Sequence, residues 1–121
     1  MENLEFILYI IKRRSLFFIE NSNDYFKYIN GFIAGSKNGS LFDFFKEFEI
    51  YVIENNDLKG FENKPMHLIF NFLAVYENKS LDILNIELVN FLKSDRTDHL
   101  EIVTRFRESN KIEDLIEKYQ D

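Results

Sequence analysis

Residues 40–55 read SLFDFFKEFEIYVIEN, and Leu41, Phe44, Phe45, Phe48, Tyr51 and Val52 recur there at steps of three and four. That is the period at which side chains return to one face of an α-helix, so the stretch predicts a helix with a buried aromatic stripe. Ser40 with Asp43 three residues on forms a shortened capping box for its start. Asn55-Asn56-Asp57 ends it, and the segment from Leu58 to Lys64 has no sustained period and reads as the longest loop.

The same period recurs on both sides. Towards the N-terminus, Ser22 or Asn23 caps a helix carrying Tyr25 or Phe26, Ile29 and Ile33 up to Gly35, with Ser36-Lys37-Asn38-Gly39 as the closing loop. Asn3 to Arg13 forms a first helix capped by Asn3. It has Leu4, Ile7, Leu8 and Ile11 on one face, and Lys12, Arg13 and Arg14 at the end where the helix dipole favours cations. Residues 15–21 (SLFFIEN) fit either a short extended piece or continued helix and are read as a connector. Towards the C-terminus, Pro65 suits the first position of a helix bearing Met66, Ile69, Phe70, Leu73 and Tyr76. Asn78-Lys79 breaks the chain. Ser80 and Asp82 then open a helix with Leu81, Leu84, Leu88, Phe91 and Leu92 as core, and the two helices make a hairpin. Residues 99–106 alternate like a strand yet also offer Leu100, Val103 and Phe106 to a helix, which is preferred because no partner strand is evident. Asn110 and Glu113 make a capping box for a last helix carrying Ile112, Leu115, Ile116 and Tyr119. The expectation is an all-α, single-domain helical bundle of five to seven helices over residues 1–121.

Composition narrows the function. With 121 residues the chain has room for one core, and 14 Phe and 6 Tyr supply rings to fill it. The chain has no Cys, which removes disulfides, thiolate catalysis and Cys-ligated metals and fits a reducing cytoplasm. The 15 Lys and Arg against 21 Asp and Glu give a net charge of −6, the wrong sign for direct nucleic-acid binding. Acidic Met1 to Glu5 does not read as a secretory signal, and the apolar run from Phe6 to Ile11 is far shorter than the roughly 20 residues of a membrane span. His67 and His99 stand apart with no metal-binding spacing, so no metal and no cofactor are expected. The glycines are too scattered for a phosphate loop, and no nucleophile elbow surrounds a serine. Catalytic residues are therefore expected to be none.

Acidity remains. On the helix over 40–55, Asp43, Glu47 and Glu54 share one stripe with Ile50 between them and Glu49 on a neighbouring row, and Asp57 and Glu62 extend it into the loop. Such a face is suited to steering a basic protein partner, and the tail acids Glu108, Glu113, Asp114, Glu117 and Asp121 offer a second negative surface.

Arg14-Ser15-Leu16-Phe17-Phe18-Ile19, followed by Tyr28-Ile29-Asn30-Gly31-Phe32, resembles the R-P-G-x-Y-x-G and F-I-x-G-Y elements of small bacterial immunity proteins from contact-dependent inhibition and polymorphic toxin loci. Residues 84–92 (LNIELVNFL) are similar to that family's later helix, and the likeness runs over about residues 10–93. Ser15 and Leu16 stand in place of Pro-Gly, and Glu20 in place of the second Gly. The resemblance implies a cytoplasmic immunity protein that binds one cognate toxin domain, with the acidic stripe suggesting a basic nuclease whose cleft it occludes. The alternative is a helical adaptor or self-associating module without inhibitory activity.

Overall fold

The computed structural model describes residues 3–37 and 39–120. Among these it contains seven α-helices joined by 3-10 turns and no strand: α1 (Asn3–Lys12), α2 (Ser22–Ser36), α3 (Gly39–Asn55), α4 (Met66–Ala74), α5 (Ser80–Lys93), α6 (Glu101–Glu108) and α7 (Ile112–Tyr119). The all-α bundle expected from the periodicity is what forms, and residues 101–108 are helical.

Two helices organise the core. In α1, Leu4, Ile7, Leu8, Ile10 and Ile11 are all buried, so apolar side chains leave it on nearly every side, as in a helix enclosed by others. It packs on α5, α6 and α7, and Phe6 meets Phe32 of α2 with ring centroids 5.3 Å apart. The second hub is α5, which buries Leu81, Leu84, Leu88, Phe91 and Leu92, as its spacing predicts, and touches α1, α2, α3, α4 and α7. Phe91 joins Phe44 and Phe48 of α3 through centroid distances of 5.3 and 5.4 Å, and Phe48 stacks on Phe70 of α4 at 6.0 Å. The aromatic stripe read over residues 40–55 is thus the seam between α3 and its neighbours. Leu41, Phe44, Phe48 and Val52 are buried, Phe45 and Tyr51 half-buried, and Ile53 joins the core.

Several helix ends differ from the sequence expectation. Asn3 lies inside α1 rather than capping it, and the connector 15–21 is entered through a 3-10 turn over Arg14–Phe17. The cap of α2 is Asn21, whose side chain accepts from the N–H of Asp24 at 2.9 Å, while Asp24 accepts from the N–H of Glu20 at 3.0 Å. Ser22 is then free to cross-link the fold: its N–H donates to Ser80 Oγ at 2.9 Å and its hydroxyl to the His67 carbonyl at 3.1 Å. Helix α3 begins at Gly39, so Ser40 lies within it, and its hydroxyl reaches Glu101 at 3.4 Å. Asn38, expected in the preceding loop, lies outside the described residues. Pro65 takes the cap position rather than the first turn of α4, which stops at Ala74, where Val75 adopts a φ of 67°. Tyr76 is consequently exposed and does not complete the α4 face. Asn110 does not cap α7. It terminates α6 in the left-handed conformation, with Lys111 N–H donating to the Phe106 carbonyl and its own N–H to that of Arg107. α7 then returns onto α1 and α5.

Candidate functional site

The outer face of α3 carries the residues singled out by charge. Its end is fixed by a helix-terminating motif in which Asp57 takes a φ of 52°, donates its N–H to the Glu54 carbonyl at 3.3 Å, and passes the chain to Leu58, whose N–H reaches the Ile53 carbonyl at 2.8 Å. Leu58 is buried beneath this turn, which anchors the loop beside α3. Further along, the Glu62 carboxylate accepts from the N–H of Gly60 at 2.7 Å, and Gly60 has a φ of 98° that a side chain would strain. The loop acids are therefore held next to the helix acids.

Three open grooves meet on this face. One, of about 470 Å³, is lined by Ile50, Glu54, Asp57 and Glu62 together with Glu49 and Lys59. A second, of about 440 Å³, lies between α3 and the start of α6 and is lined by Asp43, Glu47 and Ile50 with His99 and Glu101. A third, of about 410 Å³, runs between α2, α3 and the start of α4 and is floored by Phe26, Phe42, Phe45 and Met66, with Glu49 and His67 at its edge. Lys46 borders all three, Ile50 the first two, and Glu49 the first and third. Ile50, 40% exposed, is the apolar centre of the surface.

Charge on this face is redistributed by a residue far away in sequence. Arg96, in the 3-10 turn after α5, donates to Glu54 Oε2 at 2.6 Å and to Glu47 Oε1 at 3.0 Å. Both hydrogen bonds favour the charged guanidinium and push its pKa upward. Two of the three carboxylates of the predicted stripe thus already have a cation, and the structure leaves Asp43 exposed beside them. Glu49 is different. It is half-buried, has no ion-pair or hydrogen-bond partner among the described residues, and burial raises its pKa. Helical spacing places Glu49 on the row beside the stripe, whereas no local pattern connects the groove floor at Phe42 and Phe45 or the cation Arg96 with this face.

Elsewhere, His67 and His99 sit at the edges of separate grooves, and among the described residues no group of three or more His, Cys, Asp or Glu could hold a metal ion. No described helix is long and apolar enough to cross a membrane. The tail acids Glu108, Glu113, Asp114 and Glu117 are exposed, while Asp121 lies outside the described residues. No protein family, curated protein or solved structure matches the chain.

Proposed function

We propose that the chain is a stoichiometric protein inhibitor, an immunity protein that seats the outer face of α3 on a basic toxin domain and covers its substrate cleft. The observation that carries this reading is the meeting of three grooves at Lys46, with Glu49 and Ile50 each shared by two of them, an apolar floor, and an acidic rim of Asp43, Asp57 and Glu62 beside the Arg96-paired Glu54. An apolar centre ringed by charge is how protein interfaces separate binding energy from partner selection. The net charge of −6 supports the same reading, since it favours encounter with a cationic partner. A basic nuclease domain fits because its cleft must itself attract phosphates, and an acidic surface competes for those same cations. No chemistry of the inhibitor's own is required.

The test is to look for a toxin domain encoded in a gene neighbouring this one and to measure its binding by interferometry together with toxin activity. Glu49→Lys and Ile50→Asp, both on the outer surface of α3, are expected to weaken binding at least tenfold and abolish protection while leaving the circular dichroism spectrum unchanged. The association rate should fall as salt rises, because steering between exposed charges is screened beyond about 8 Å at physiological ionic strength. Tight, protective binding by both variants would refute the assignment of this face. Loss of protection on reversing Glu113 and Glu117 instead would move the interface to the tail.

A further inference from the structure

Helix α4 presents an apolar stripe that no part of the described chain covers. Leu68 is 45% exposed, Phe72 59%, Val75 78% and Tyr76 69%. Leu68 and Phe72 lie four residues apart on one face of α4, Val75 and Tyr76 follow in the turn beyond its end, and Phe61 extends the patch by placing its ring 5.0 Å from that of Phe72. None of these five residues lines the three grooves of α3. Scattered exposed hydrophobics are ordinary, whereas this many large ones gathered along α4 and the segments at its two ends are not.

The charge around this stripe is as informative as its apolarity. From Asn63 to Tyr76 the sequence contains no Asp or Glu, in a chain that has 21 of them, and the only ionisable groups in that span apart from Tyr76 are Lys64 and His67. Between Glu62 and Glu77 the segment therefore offers a basic partner no carboxylate, in contrast to the run of acids on α3. For a second copy of a chain with net charge −6, a segment that itself carries no carboxylate is one on which two copies approach with reduced repulsion. The area is also of the right order. Given the exposures above and the size of aromatic side chains, the stripe offers on the order of 500 Å² per copy. Two such faces remove about 1,000 Å² from solvent before any rim contributes, which is the lower bound for a specific interface.

We propose that the α4 face is a self-association surface, on which two copies pair about a two-fold axis with Phe72 near the centre. The pairing places each stripe against its equivalent, as an isologous interface requires, and closes at two copies. An interface this small gives a dimer that dissociates on dilution. The inference rests on α4 and is independent of the inhibitor reading of α3.

Sedimentation velocity on the full chain from about 1 μM to about 200 μM, the range in which weak protein pairs associate, tests it directly. The weight-average mass is expected to rise from 14.6 kDa toward twice that value and stop there. Phe72→Glu and, separately, Tyr76→Glu are expected to weaken dimerisation at least tenfold with an unchanged circular dichroism spectrum. Tyr76 lies beyond the end of α4, so its substitution leaves a readable result if the helix variant fails to fold. Ile50→Asp should dimerise as the unmodified chain does. A mass of 14.6 kDa at every concentration, growth beyond the dimer, or a dimer insensitive to Tyr76→Glu but broken by Ile50→Asp would each overturn the proposal.

Discussion

Glu87 is the most exposing test of the energetics, because α5 carries this carboxylate into the core. Its side chain points between α3 and α5 with the residue only 8% exposed. Oε1 lies 3.5 Å from Asn56 Nδ2, the limit of a hydrogen bond, and Oε2 has no hydrogen-bond partner. Asn56 is better satisfied by the Val52 carbonyl at 2.9 Å, and Glu87 takes part in no ion pair among the described residues. Burial therefore pushes the Glu87 carboxyl above its ordinary value, with the Asn56 bond opposing weakly. A folded-state pKa above the unfolded one means the folded chain binds the proton more tightly. Stability from this group is thus highest below about 4.5 and falls as pH rises through the raised value. Replacing it with Met keeps the volume, removes the stranded oxygen and leaves Asn56 on Val52. An unsatisfied buried polar group costs about 1–3 kcal/mol, so Glu87→Met should stabilise the fold by about 1–2 kcal/mol at neutral pH, some solvent contact remaining. In a chain of this size each kcal/mol moves Tm by about 3–5 °C. Urea unfolding followed by circular dichroism, for both proteins between about pH 4 and about pH 8, reads the effect as a difference in which other titrations cancel. The gap should be small at the acid end and widen to a plateau. A gap that does not change with pH, or a variant less stable at pH 7, refutes the reasoning.

Other variants probe the devices that replace the expected ones. Tyr25→Phe removes a buried hydroxyl that donates to the Ile7 carbonyl at 2.8 Å, and should cost about 1–2 kcal/mol in the same urea assay. Asn21→Ala should destabilise by about 1 kcal/mol, whereas Asn23→Ala should be nearly silent, because Asn21 caps α2. The Glu5 carboxylate accepts from Lys118 Nζ and Tyr119 Oη, each at 2.9 Å. The Lys118 bond leads in holding Glu5 below its ordinary pKa of 4.5, against a smaller opposing effect of burial. Its stabilisation is therefore present above that value and lost as pH falls through the depressed one, so Glu5→Gln should lower Tm at neutral pH and match the unmodified chain in strong acid.

The helices were legible because helical periodicity is a local property, and a stripe such as Leu81, Leu84, Leu88, Phe91 and Leu92 has only one way to be buried. Their ends were less so, since a cap is a competition between neighbours of similar chemistry. Asn21, Ser22 and Asn23 can each cap α2, and what decides is that Ser22 is drawn off by Ser80 and by the His67 carbonyl, 58 and 45 residues away. Asn110 likewise served as the end of one helix because residues that favour caps also tolerate the left-handed turn. The site shows the same division more sharply. Spacing correctly put Asp43, Glu47, Ile50 and Glu54 along α3, yet a stripe counted in sequence is a sum of carboxylates, whereas a partner meets that sum less the cations folded onto it. Arg96 is 49 residues from Glu47 and 42 from Glu54, and no helical period connects them. Once it is in place, the carboxylate on this face that is both half-desolvated and unpaired is Glu49, and the apolar surface beside it comes from α2 and α4 as much as from α3. The strength of an acidic surface is therefore a tertiary quantity, and the residue most able to reward a partner's cation is the one whose own fold supplies none.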